Sequence, residues 1–376
     1  MPTPLLQKLR PRTYSQDEEH QPLSKRSRIR ESYNVDEQNG SLFFQRLPKK
    51  LRDEIYSFVF TSTRLSFGER EMGDKDRPWH FNIKPVPNSL ALLRTCRLAK
   101  KEIGTSWLGQ VLFSFEDNRT FLDKMTALPP NLLSQVRRLR LMRECLVLEN
   151  IMQGGLVRVP VDCLFKFLPG LRLDEFTVIS SPLTLPENDY MTVNDLIAYG
   201  SGWKVLHYIF DSSVPLAYRE TEMGRPYWRK SQPEDWKLEL EQRDGRLSKP
   251  KVKIARAKGA KELIFDKQHR MNYVQKRLPG EEQADQPLPT DRKLKAEGMM
   301  AKAMIVVAKR GIGVDYEEEG GVPSRLREIV GIREGAWEEF RPYFSNSPKY
   351  SREHRHIMID FYQGSEDMTR DIVRRG

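Results

Sequence analysis

Residue types that do chemistry are present in this sequence, but their spacing does not assemble a reacting site. Gly200-Ser201-Gly202-Trp203-Lys204 has the composition of a phosphate loop without the Gly-x-x-x-x-Gly-Lys-Ser/Thr spacing. It also stands where a helix gives way to a strand, the reverse of the order a phosphate cradle needs, so it reads as a plain turn. His354 and His356 flank Arg355 in a polar stretch with no third ligand near, which suits two solvated histidines. Asp315 with Glu317, Glu318 and Glu319 forms an acidic loop between glycines, expected to lie in water. The three cysteines, Cys96, Cys145 and Cys163, make no CxxC pair, which argues against zinc and against a disulfide framework. No Gly-x-Ser-x-Gly elbow occurs. The expectation is a protein that is not an enzyme and uses neither cofactor nor metal.

Charge is the next signal. Of a net +11, nearly all sits between residues 243 and 310, where 18 Lys plus Arg face 8 Asp plus Glu. Lys249, Lys251 and Lys253 alternate with Val252 and Ile254, so one face of a strand there would be cationic. Nuclear nucleic-acid association through this block is one possible function. Against it, aromatics for base stacking are few (Phe265 and Tyr273), and no homeodomain, zinc-finger or RNA-recognition signature is present. The N-terminal 40 residues are polar and aperiodic, as in a disordered tail, and carry Lys25, Arg26, Arg28 and Arg30 as a candidate import signal. The start lacks the apolar core of a secretory signal, and no apolar run approaches membrane-spanning length. A soluble protein of the cytoplasm or nucleus is expected.

The elements that would position any site follow from periodicity. Leu51, Ile55 and Val59 share one face of a helix, with Pro48 suited to its first position. After about 30 polar residues that read as a loop, Leu92, Cys96, Ala99, Ile103 and Trp107 form a second stripe behind an Asn88-Ser89 cap. Leu51, Ile55, Leu92, Cys96 and Ile103 are therefore expected to pack together. Val111, Phe113 and Phe115 alternate as a short strand. Residues 136–142, 173–179 and 203–210 read as further strands, separated by helices at Val161–Leu168 and after a Thr192 cap, the latter stopped by a left-handed Gly200. Strand–helix alternation with short links implies right-handed crossovers and a parallel sheet. Trp236, Leu238 and Leu240, the turn Arg243-Asp244-Gly245, then Val252 and Ile254 suggest a β-hairpin. Residues 278–290 read as a linker, Asp291–Arg310 as a helix, and 325–330 and 335–343 as short helices.

The head, with Leu47-Pro48 leading an amphipathic helix, then Leu92-Leu93-Arg94-Thr95-Cys96-Arg97 and an aromatic strand, resembles the F-box-like domain of many fungal proteins. The resemblance covers roughly 75 residues. The β/α stretch that follows resembles a degenerate leucine-rich-repeat layer without the asparagine ladder. The fold class expected is α+β: a disordered tail (1–40), a small helical F-box-like head (41–118), an irregular β/α layer with a hairpin (119–275), and a linker with a partly helical C-terminal region (276–376). The resemblance implies a substrate receptor of a cullin-RING ubiquitin ligase. Leu47, Pro48 and Leu51 would bind a Skp-family adaptor, itself held by a cullin, and an unidentified client would bind elsewhere. An F-box-derived scaffold without adaptor binding is the other outcome the resemblance allows.

Overall fold

The computed structural model describes residues 40–72, 79–142, 146–150, 155–180, 186–210, 215, 220–222, 225–227, 232–256, 304–331 and 335–345. The expected tail up to residue 39, with Lys25, Arg26, Arg28 and Arg30, lies outside the described residues, as do Cys145, Phe265, Tyr273, the linker 278–290, His354 and His356.

The fold is α+β. In the head, α1 (Leu42–Arg46) and α2 (Lys49–Thr61) precede β1 (Arg64–Met72), β2 (Trp79–Ile83), α3 (Leu92–Thr95), α4 (Arg97–Ile103) and β3 (Leu112–Phe115). Then come α5 (Asn118–Met125), α6 (Pro130–Leu133), β4 (Arg138–Met142), β5 (Leu146–Asn150), β6 (Gly155–Val159) and α7 (Val161–Phe165). The layer closes with β7 (Leu173–Ile179), α8 (Pro186–Ala198), β8 (Trp203–Phe210), β9 (Glu220–Glu222) and β10 (Arg225–Tyr227). A helix at Glu234–Asp244, then β11 (Lys251–Arg256), β12 (Met304–Lys309), helices at Ser324–Val330 and Trp337–Phe340, and β13 (Phe344–Ser345) follow.

One eight-stranded sheet, ordered β11-β12-β8-β7-β4-β3-β1-β2, organises these elements. Strands β1, β3, β4, β7 and β8 are parallel and lie in chain order, so every crossover steps the same way. Antiparallel strands close both flanks, β2 beside β1 and the β12–β11 pair beside β8. Leu139 and Leu141, Phe176 and Val178, and Leu206 and Tyr208 stand in register on the helix-covered face and are buried. A line of rings ties helices to sheet: Phe67 stacks on Phe115, which meets Phe121 of α5, then Phe165 of α7, then Phe176 of β7, at centroid distances of 5.4, 5.4, 6.0 and 4.8 Å. The parallel strands, the short α7 and the inward Val193, Leu196 and Ile197 of α8 stand where periodicity puts them.

Several expectations are corrected. The polar stretch after α2 is not a simple loop: β1 pairs with β3 in the main sheet and turns back as β2. Leu65 and Phe67 alternate inward there, a short strand signal masked by the charges that follow. The sheet therefore runs across the expected head boundary at 118, because β3 pairs with both β1 and β4. The second head helix is broken at Cys96, whose extended backbone caps α4 by accepting the Ala99 N–H on Sγ (3.3 Å). Trp107 falls in a separate 3-10 turn, so the five-residue stripe is not one helix face. Thr192 lies inside α8, hydrogen-bonded to the Asn188 carbonyl, and does not cap it. Gly200 is required by crowding rather than by handedness: a Cβ there would sit 2.6 Å from the Leu196 carbonyl oxygen, while the left-handed turn is made by Gly202 (φ 83°).

The expected hairpin does not form. Trp236 to Leu240 lies in the Glu234–Asp244 helix, with Trp236 and Leu240 buried one turn apart and Leu238 exposed. The apolar residues that suggest alternation satisfy an i, i+4 helical pair equally well, and Glu234 and Asp235 suit a helix start. β11 pairs instead with β12, and Met304–Lys309 is a strand where a helix is expected from sequence, in keeping with its β-branched Ile305, Val306 and Val307. The correction has a direct test. Leu240→Asp should cost several kcal/mol by burying a charge, whereas Leu238→Asp should change stability by no more than about 0.5 kcal/mol. Equal loss in both variants, measured by urea unfolding, would contradict the helix.

Candidate functional site

The helix α2 places its side chains opposite to expectation. Arg52, Tyr56 and Phe60 are the buried stripe, while Leu51 (44% exposed) and Ile55 (41%) face outward. Both stripes have i, i+4 spacing, so periodicity alone does not choose between them. The choice is made by a partner distant in sequence. Glu102 of α4 receives Arg52 in a two-point ion pair, Nη2–Oε1 at 2.6 Å and Nε–Oε2 at 3.1 Å. The Tyr56 hydroxyl donates to the same carboxylate at 3.0 Å, and Arg52 also donates to the Leu47 and Phe44 carbonyls. Its guanidinium lies 5.4 Å from the centroid of the Phe44 ring. Two rings and a satisfied charge thus fill the inner side of α2, leaving Leu51, Ile55 and Phe58 outside.

The outer side is a shallow apolar groove lined by Leu47, Leu51, Glu54, Ile55 and Phe58. Phe58 is the most exposed of these apolar side chains, at 76%. Pro48 caps α2 from just before its first helical position, one residue earlier in the helix than expected, and is exposed. Of the three residues named from the resemblance, Leu47 and Leu51 line this groove, and Pro48 is exposed between them in the chain. Periodicity misses Ile55 and Phe58 as members of it, because the Leu51–Ile55–Val59 period points Ile55 at the core. A helix apolar on two sides is the available signal, since one side of a surface helix is normally polar.

The inner network makes the anchoring of α2 sensitive to acid. Hydrogen bonds from Arg52 hold the Glu102 carboxyl below the usual carboxylate range, and the same contact raises the Arg52 pKa. Burial, then the bond to Glu102, pushes the Tyr56 hydroxyl up to about 12. A carboxyl depressed on folding contributes stability that is present above its unfolded pKa of about 4.3 and lost as pH falls through the folded value. The anchoring of α2 on α4 should therefore weaken only below about pH 4. Comparing the acid limb of the wild type with that of Glu102→Gln checks this, since the variant should lack the Glu102 contribution.

Elsewhere the described residues offer little chemistry. No group of three or more His, Cys, Asp or Glu among them is arranged to hold a metal. The acidic loop is only partly in water: Glu318 is buried, paired with Lys166 at 2.9 Å and hydrogen-bonded by Ser201 and by the Gly320 N–H. It straps the turns before β7 and β8 through the Glu318 backbone and Gly202 N–H to Tyr316 carbonyl bonds. Lys249, Lys251 and Lys253 are all exposed. Lys251 and Lys253 share one face of β11, and Lys249 occupies a left-handed turn just before it. No helix among the described residues is long and apolar enough to cross a membrane. Comparison with family models, with curated proteins and with solved structures returns no match.

Proposed function

We propose that this chain is a non-catalytic substrate receptor of F-box type, docking a Skp-family adaptor of a cullin-RING ubiquitin ligase through the outer face of α2. The observation that carries the reading is the turned-out helix. Leu47 and Leu51 line one groove with Glu54, Ile55 and Phe58, Pro48 is exposed next to Leu47 in the chain, and an arginine is placed inside. Leaving Leu51, Ile55 and Phe58 exposed while burying a charge is costly for a free protein, and it makes sense where a partner covers the face. The β/α layer would carry the client, and the receptor would act by holding that client near a ubiquitin-loaded partner at raised effective concentration. An intracellular setting, cytoplasm or nucleus, fits such a role.

The test is reconstitution. Full-length chain mixed with a purified Skp-type adaptor at micromolar concentration should yield a stable complex on size exclusion, and the complex should recruit a cullin. A folded chain that fails to bind the adaptor overturns the reading and leaves an inherited scaffold whose interface is used otherwise or not at all.

A further inference from the structure

A second surface lies at the far flank of the sheet. Leu247 is 94% exposed and Ile312 is 90% exposed, the two least covered large apolar side chains among the described residues. They belong to one corner. The Ile312 N–H donates to the Ser248 carbonyl at 2.9 Å, in the same register that pairs Lys251 with Lys309. Close approach fixes the corner, since a Cβ on Gly311 would lie 2.2 Å from the Ser248 side chain. These are protruding tips on tight turns, not residues lining a groove.

Exposed cations surround the tips. Arg246 and Lys249 flank Leu247 in sequence, and Lys251 and Lys309 stand side by side at the adjoining strand ends. Lys204, the second residue of β8, accepts the Arg310 N–H on its carbonyl at 3.0 Å and stands on the sheet face opposite Lys251 and Lys309. None of these five side chains makes an ion pair among the described residues. Of the acids nearest in sequence, Asp244 is buried between Arg310 and Arg243, and the exposed Asp315 lies 3.7 Å from Arg172.

We propose that this corner docks on an anionic lipid bilayer, with Leu247 and Ile312 entering the interface and the five cations meeting headgroup phosphates and carboxylates. Charge complementarity commits the surface to an anionic partner, and the two aliphatic tips select among such partners. Nucleic-acid phosphates answer the cations, but a nucleic acid accepts aliphatic tips only at the cost of unstacking bases, whereas a bilayer offers charge and an apolar layer together without that cost. Two signals of this kind, one electrostatic and one apolar, are what stable surface anchoring requires, since one alone binds only marginally. The site is separate from the α2 groove and does not depend on the adaptor reading.

Co-sedimentation of the full chain with vesicles tests it. Binding is expected to vesicles rich in phosphatidylserine and not to phosphatidylcholine alone, and it should weaken with salt. Each cation near an anionic surface is worth about fivefold in partitioning, so Lys249→Glu with Lys251→Glu should lower it by at least about 25-fold. Leu247→Ser with Ile312→Ser should lower it by at least about tenfold, with an unchanged melting curve because both sites are exposed. Leu247→Trp should keep binding and show a blue-shifted emission on vesicles. No binding to anionic vesicles overturns the proposal. So does binding that survives the apolar double variant, or retention of duplex DNA in place of vesicles with the same lysine dependence.

Discussion

Asp244→Ala is expected to lower stability by about 3 kcal/mol, a large loss for a single change at a charged position. The carboxylate is fully covered and receives Arg310 at two points, Nη2–Oδ1 at 2.6 Å and Nε–Oδ2 at 3.0 Å, with Arg243 Nε on Oδ1 at 3.1 Å. Burial alone would raise its pKa, but hydrogen bonds from Arg310 and the charge of Arg243 bring it below the usual value. Arg243 is itself buried enough for its pKa to fall to about 10, and it is held by the Ile197 and Gly200 carbonyls beneath the Trp203 ring. Removing the carboxylate leaves two guanidinium groups facing each other in a covered site, the costly way to break a buried pair. Asp244→Asn keeps hydrogen-bonding capacity and should cost less. Because the Asp244 carboxyl is depressed on folding, its contribution is present above about pH 4 and lost as pH falls through the folded value. Urea unfolding of the three proteins at about pH 7 and about pH 3 checks the sign: the differences should shrink at the lower pH. Removing Asp244 also releases the Glu234–Asp244 helix from β12, so the midpoint shift should accompany weaker protection of β12 in hydrogen exchange.

What could be read in the sequence separates by range. Local period finds the parallel layer, because β4, β7 and β8 are apolar on the buried face and the intervening helices carry their own stripes. It fails wherever a residue's environment is set by a remote partner. Trp236, Leu238 and Leu240 fit two periods, and the helix wins because Trp236 stacks on Tyr190 at 5.7 Å and donates Nε1–H to Asn194, both on α8. Met304–Lys309 is a strand because β8 and β11 supply ladders on both sides, a fact no window of its own residues contains. The candidate site shows the same limit in sharper form. Leu47, Pro48 and Leu51 are reached through resemblance, whereas period alone sends Ile55 to the core, because Glu102 is 50 residues from Arg52 and no pattern announces their pairing. The acidic run likewise hides one buried member, Glu318, whose lysine partner lies 152 residues away.

The turned-out helix predicts a separation of binding from stability. Ile55→Asp with Phe58→Asp should melt as the wild type does, since both positions are exposed and charges there are solvated. A core position for Ile55 predicts the opposite, a drop of several kcal/mol from a buried charge. On the proposed docking of an adaptor at this face, the same pair should be severe: an aromatic anchor buried in an interface contributes at least about 2 kcal/mol on truncation, roughly 30-fold in affinity, before charge is added. Phe60→Ala supplies the contrasting control. Phe60 is buried in the core, and truncating it should cost about 3–5 kcal/mol and impair binding only through unfolding. Pro48→Ala lies between, at an exposed turn where trimming the ring to a methyl group removes little apolar area. Titration of the adaptor against each variant, with melting curves in parallel, therefore orders them by face rather than by size. Retained affinity in the Ile55/Phe58 double variant would remove α2 from the interface, whatever the chain's other partners, since no stability change could then be blamed for masking an effect.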